Sequence, residues 1–292
     1  MDSVRRFLFE DLDIRGAIVA LGNTWHELSA PRDDPPAIAA LMGELAAVTA
    51  LVTGNLKAPG RLKFQLQGHG AISLLLMDCD EQLRLRGTVR HNLAADESAA
   101  NAVSPAPTFS SGTAGNNVTE LLGDGQLVLT LQANAGQPYQ SIVPLVGDSL
   151  AAIFEHYLVQ SEQQPARLLL TANANFAGGL FLQKLPGADA KDPDGWNRIE
   201  HLFATLRPEE LADPVANLLM RLFPEENIRL FDPRPVRYHC PRDEEKVLSM
   251  LKSLGQEEIS TVLAERGEIL VEDDICHHSY RYGAEIIPRL FD

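Results

Sequence analysis

Between Ala37 and Val52 the chain is apolar nearly all round, with Glu44 as the only charge. A helix with no wet side cannot lie on a surface, so this run belongs in the middle of a domain, with neighbouring segments wrapped around it. Asp34-Pro35-Pro36 supplies the start signal. The run is too short and too rich in Ala and Gly to read as a membrane span.

The segments on either side read as strands. Arg15–Leu21 is the first. Leu62, Phe64 and Leu66 then alternate with Arg61, Lys63, Gln65 and Gln67, which gives one dry and one wet face. Gly68-His69-Gly70 turns the chain into Ala71–Met77, and Gln82–His91 alternates again. Asn92–Asn117, rich in Ala, Ser, Asn, Gly and Pro, reads as a long mobile loop. Strands resume at Gln126–Gln132 and Ser141–Val146. A helix is expected over Ser149–Gln160, with Asp148 as N-cap and Leu150, Ile153, Phe154, Tyr157 and Leu158 on one face. Arg167–Thr171 and Gly179–Leu185 complete an α+β domain over residues 1–186, an antiparallel sheet around the central apolar helix. Cys79, just past the second strand of the 61–91 group, reads as a small core or edge residue.

Residues 187–235 differ in texture. Prolines and glycines interrupt two short amphipathic pieces, Ile199/Leu202/Phe203/Leu206 and Leu218/Leu219/Leu222/Phe223. Short helices with breaks between them open at low free-energy cost. From 236 to 292 two further helical runs follow, one on Val247, Met250, Leu251 and Leu254 and one on Ile259, Val262 and Leu263. Gly255 and Gly267 stand where C-caps belong, and Glu268–Val271 reads as a strand. So small a unit buries little apolar surface, and its ends need a clip, either a metal or a disulfide. Cys240 and Cys276 flank it.

Taken together, these segments resemble the 33 kDa chaperonin family of redox-regulated heat-shock holding chaperones. FLFEDLDIRG, LKFQLQGHGAISLLL, LRLRGTVR and LAAIFEHYLVQSEQQPARLLL carry the resemblance in the first domain, and the stretch around the two cysteines carries it in the last. It spans essentially the whole chain. It implies an α+β domain over 1–186, a metastable helical linker over 187–235, and a small two-helix plus hairpin switch domain over 236–292. It also implies ATP-independent holding of unfolding client proteins, generally as a homodimer when active; a cytoplasmic place is expected from the sequence itself, where Glu10, Asp11 and Asp13 interrupt any signal-peptide core.

Members of the family hold one zinc with Cys-x-Cys before the helices and Cys-x-x-Cys after them. Here Cys240 matches the first position and Cys276 the last, but Arg242 stands at the second and Asp273 at the third. Arginine has no free lone pair and a permanent charge, so it cannot coordinate and it repels the cation. The expectation is that zinc is lost and that Arg242 pairs with Asp273 across the old site. If a metal were held, its ligands would be Cys240, Cys276, Asp273 and a histidine, with His278, His277 and His239 within reach in sequence. Two cysteines allow one internal bridge, Cys240 to Cys276, and positions that share a metal in the family should be close here. These two are the candidate redox-switch residues.

Other classes find little support. A formal net charge of −15 argues against nucleic acid and against an anionic membrane as partner. Three cysteines in 292 residues do not make a secreted disulfide framework. No nucleotide-cradling loop, Gly-x-Ser-x-Gly elbow or His-Glu-x-x-His pair is present, so no enzyme is expected. A thiol–disulfide oxidoreductase using Cys240 and Cys276 would lack the usual close Cys-x-x-Cys. A non-switching interaction module is the remaining alternative.

Overall fold

The computed structural model describes residues 2–56, 58–92, 118–133 and 137–291, and the chain divides into two compact units between Tyr238 and His239. Past Asn92, the loop expected up to Asn117 lies outside the described residues.

In the first unit the strands are β1 (Ser3–Phe9), β2 (Ile14–Leu21), β3 (Gly60–Gly68), β4 (Ile72–Cys79), β5 (Arg84–His91), β6 (Gly125–Ala133), β7 (Tyr139–Pro144), β8 (Ala166–Ala172), β9 (Ala177–Lys184), β10 (Ile228–Leu230), β11 (Arg234–Pro235) and β12 (Arg237–Tyr238). Its helices are α1 (Asn23–Ser29), α2 (Pro36–Gly54), α3 (Val118–Leu122), α4 (Leu150–Glu162), α5 (Ala188–Lys191), α6 (Gly195–Phe203) and α7 (Val215–Leu222), with a 3-10 turn at Pro208–Ala212. The single antiparallel sheet of the sequence reading becomes two, each of six strands. One runs β10-β1-β2-β9-β8, with β11 also on β1, and the other runs β12-β5-β4-β3-β6-β7. Every pairing is antiparallel except that of β12 with β5.

The apolar run is α2, and it packs against both sheets. Leu41, Met42, Leu45, Ala46 and Ala50 are wholly buried. Its two inward hydroxyls are satisfied locally, Thr49 donating to the Leu45 carbonyl at 2.6 Å and Thr53 to that of Thr49 at 2.7 Å. Gly43 lets the helix approach the first sheet closely. A Cβ there would stand 2.6 Å from the Ala172 Cβ, so only glycine fits.

Details shift at the ends of elements. Ser149, not Asp148, caps α4, its hydroxyl accepting the Ala152 N–H at 3.2 Å. Strand β1 is not legible in the sequence because its buried residues Val4, Phe7 and Phe9 fall on both faces, Val4 toward α2 and the two rings away from it, with Arg5 and Arg6 between. Cys79 ends β4 and is fully buried, and desolvation pushes its thiol up to about 12. That thiol is inert at neutral pH.

The second unit contains α8 (Glu244–Leu254), α9 (Gln256–Arg266), the hairpin β13 (Ile269–Glu272) and β14 (Ser279–Tyr282), and α10 (Ile286–Phe291). Leu251, Ile259, Ile269, Tyr280, Tyr282, Ile286 and Leu290 form its core, with Val247 and Leu248 against it. The expected α8 stripe is therefore corrected: Met250 and Leu254 are exposed, and Leu248 takes the inward place. Gly267 caps α9 in the left-handed region at φ 77°, its N–H reaching the Leu263 carbonyl.

Candidate functional site

The candidate residues fall in two places: the cysteine pair of the second unit and the segment 187–235 of the first.

At the cysteine pair, Cys240 and Cys276 are joined as a disulfide, with Cα atoms 5.9 Å apart across 36 residues of sequence. Cys276 is buried. The turn between β13 and β14 is closed by Asp273 N–H to the His278 carbonyl at 2.9 Å and by His277 N–H to the Asp273 carbonyl at 2.8 Å. Asp273 Oδ1 accepts two more backbone donors, Ile275 N–H at 2.7 Å and Cys276 N–H at 2.9 Å. His278 Nε2 donates to the Cys240 carbonyl at 2.8 Å, which ties the two cysteine segments together a second time.

The described contacts of Arg242 and Asp273 are with other groups and not with each other, as the expected ion pair would require. Asp273 is turned inward onto backbone amides, which satisfy a carboxylate as well as a guanidinium does. Arg242 lies over the Tyr280 ring at 5.6 Å, and the Tyr280 hydroxyl in turn accepts the Asp243 N–H at 2.9 Å. The side chain at each replaced ligand position has acquired its own structural contact.

This donor set does not fit zinc as it stands. Both sulfurs are spent on each other, Asp273 Oδ1 is spent on two amides, and His278 Nε2 faces a carbonyl. No group of three or more His, Cys, Asp or Glu side chains is placed to hold a metal ion among the described residues.

The segment 187–235 is spread over the outer face of the first sheet. Phe7, Phe9, Ile14, Ile18, Leu180 and Leu182 point to that face, whereas Val4, Ala17, Val19, Leu21 and Phe181 point to α2. The sheet therefore has two dry faces, and on its inner strands β2 and β9 buried residues fall on both sides. The second face is covered by Ile199 of α6, Leu206, Leu211, Leu218, Leu219 and Leu222 of the later pieces, and Phe223. Both amphipathic stripes read from the sequence land here. Phe223 meets the Phe9 ring edge to face at 5.0 Å.

Apart from this apolar contact the cover is fastened at its rim. Backbone bonds run from Phe231 N–H to the Arg6 carbonyl (2.9 Å), from Val236 N–H to that of Asp2 (3.0 Å), and from Glu10 N–H to that of Asn227 (3.0 Å). Lys191 pairs with Asp13 at 2.6 Å; within the cover itself Arg198 bridges Asp192 and Glu226 at 3.0 and 2.8 Å, and Arg221 bridges Glu210 and Asp213 at 2.9 and 3.0 Å. The guanidinium pKa of Arg198 is raised by these hydrogen bonds, to Glu226 first and Asp192 second. Such half-exposed pairs orient helices but contribute little stability, and salt weakens them. Sequence reading found the two stripes. It did not find β10, β11 or the clamps, because strands of three and two residues leave no periodicity and an ion pair depends on the fold.

A profile for a family described as Hsp33 protein matches residues 2–283. A 33 kDa chaperonin of Methylobacillus flagellatus is 37% identical over 294 residues, covering 99% of this chain and 94% of its own. One from Neisseria gonorrhoeae is 36% identical over 99% of this chain and 91% of its own. The crystal structure of the 33 kDa chaperonin of Thermotoga maritima, a heat shock protein 33 homolog, superimposes with a TM-score of 0.79 at 21% identity, covering 99% and 97% of the two chains. A family match across nearly the whole length, together with a common α+β fold, leads to one conclusion: the chain belongs to the Hsp33 family of chaperones.

Proposed function

We propose that the protein is an ATP-independent holding chaperone whose client surface is the outer face of the first sheet, covered at rest by 187–235. The observation that supports this most is that a sheet with two dry faces leaves one of them to short, broken helices. Each large side chain there gains on the order of 2 kcal/mol from burial, enough to hold the cover on at rest. The opening cost is nevertheless divided among pieces that can leave one at a time. Released, the face offers Phe7, Phe9, Ile14, Ile18, Leu180 and Leu182 to unfolding chains, and the net charge of −15 keeps the loaded protein soluble.

In this reading 1–186 is the holding domain, 187–235 the metastable linker and 236–292 the regulatory unit. The protein works in the cytoplasm, as a homodimer when active, on unfolding proteins and without nucleic acid or membrane. Zinc takes no part: Arg242 and Asp273 fill two ligand positions, and each has other work. The Cys240–Cys276 bridge then holds the last unit folded, the reverse of a family in which bridging accompanies metal loss and unfolding. Heat or unfolding stress becomes the main trigger, and peroxide is weak or inhibitory. A thiol–disulfide oxidoreductase is not favoured, since one sulfur is buried and its partner lies 36 residues away.

Light scattering from a heat-aggregating client, with the protein pre-warmed or peroxide-treated, tests the reading. Suppression after warming is expected. No suppression in either condition removes it.

A further inference from the structure

A sheet edge that ends in open backbone is a template for any extended chain, and proteins close such edges with short strands, charges or covering elements. In the two six-stranded sheets, three of the four edges carry such devices. Strand β10 has three residues and carries Arg229, paired with Glu10; β12 has two residues, and beyond its pairing with Arg84 and Leu85 the edge of β5 bears Arg86 and Arg90. Strand β8 is flanked by α4, whose Glu155 carboxylate accepts the Leu168 N–H at 2.6 Å and pairs with Arg167 at 3.7 Å.

Among the described residues strand β7 has no short length, charge or covering strand of this kind. It is six residues long, and Tyr139, Gln140, Ile142 and Pro144 are exposed, Ile142 to 58%. No residue from Gly125 to Gly147 bears a charge, in a chain whose formal charge is −15. Among the described residues β6 lies on one side of β7 and no strand lies on the other. Only Pro144, at the very end, removes a donor.

We propose that the free edge of β7 takes an extended apolar segment of an unfolding client as an added strand. The occupant follows from the chemistry. Main-chain pairing reads no sequence, which suits a protein holding unrelated clients, while Ile142 and Tyr139 offer apolar contact on the two sides of the strand. A second copy would present one fixed segment to the edge, whereas clients present unrelated ones, and the concentration arm of the test separates the two. The inference rests on the holding-chaperone reading and adds a capture site that is open before the linker leaves.

The test uses the full chain, a Gln140→Lys/Ile142→Lys variant that charges the edge at two exposed positions, and Leu270→Lys as an exposed control in the other unit. Heat-unfolding citrate synthase is the client. The double variant is expected to melt and elute as wild type does, yet to need several-fold more protein for the same suppression of scattering, while the control behaves as wild type. In the wild type, amide exchange over 139–143 slows when client is added. Full activity of the double variant overturns the proposal. So does slowing of those amides with protein concentration in the absence of client, which would make the edge a contact between copies. If the wild type holds no client, the holding reading fails first and takes this inference with it.

Discussion

The rings of Phe9 and Phe223 meet edge to face, with centroids 5.0 Å apart and planes at 85°, and this contact joins the first strand of the sheet to the end of the linker's last helix. Both rings are about 1% exposed, so the contact is dry. Removing the Phe223 ring leaves a cavity against Phe9 and costs the covered state about 3 kcal/mol or more. Phe223→Ala is therefore expected to hold clients at a temperature where wild type does not. Limited proteolysis checks this: the first cuts should move into 187–235 while the residues before about 185 survive. A linker that stays protected in an active preparation contradicts the switch assignment.

Asp273 gives a prediction for the second unit. Its Oδ1 serves two amides in one turn, so Asp273→Ala leaves two donors without an acceptor and should cost about 1–3 kcal/mol. Hydrogen exchange at Ile275 and Cys276 should rise together. Asp273→Asn keeps an acceptor oxygen and should lose less. Equal loss in both variants would mean that the charge, not the turn geometry, matters.

The bridge is the larger contribution. Closing a loop of 36 residues restricts the unfolded chain by roughly 4 kcal/mol. Reduction is expected to lower the melting point of the second unit and to leave the first unchanged, as followed by amide exchange in each. A second unit that loosens on oxidation instead would restore the family's usual direction.

Glu44 sets a pH dependence. Desolvation in the apolar surroundings of α2 pushes its carboxyl from the ordinary 4.5 up to about 7. Between these values the folded chain keeps a proton that the unfolded chain has released, so stability falls as pH rises from about 4.5 to about 7. Above that the folded state carries the full penalty, at most about 3 kcal/mol because the group is only part-buried. Glu44→Gln should raise the melting temperature at about pH 8 and change little near pH 4.5. A constant difference across the range would assign the effect to shape rather than ionisation.

The sequence made the central helix, most of the long strands and both linker stripes legible, because each rests on a periodicity set by local backbone geometry. The second sheet was not legible. Alternation in Leu62, Phe64 and Leu66 says that a strand has a dry face, not which sheet it joins. At the candidate site the proximity of Cys240 and Cys276 could be read through the family's shared metal. The fates of Arg242 and Asp273 could not, since a charge chooses between an opposite charge, an aromatic face and nearby amides only once the turn is built. Here the turn's own N–H groups reached Asp273 first.

The most direct measurement takes wild type and a Cys240→Ser/Cys276→Ser variant, each reduced or peroxide-treated, and follows client scattering at resting and elevated temperature. The expected result is holding that appears on warming in both proteins, with peroxide adding nothing to wild type or delaying it. Holding that wild type gains only with peroxide, and that the variant lacks at every temperature, would make the cysteine pair the activating switch and contradict control by heat.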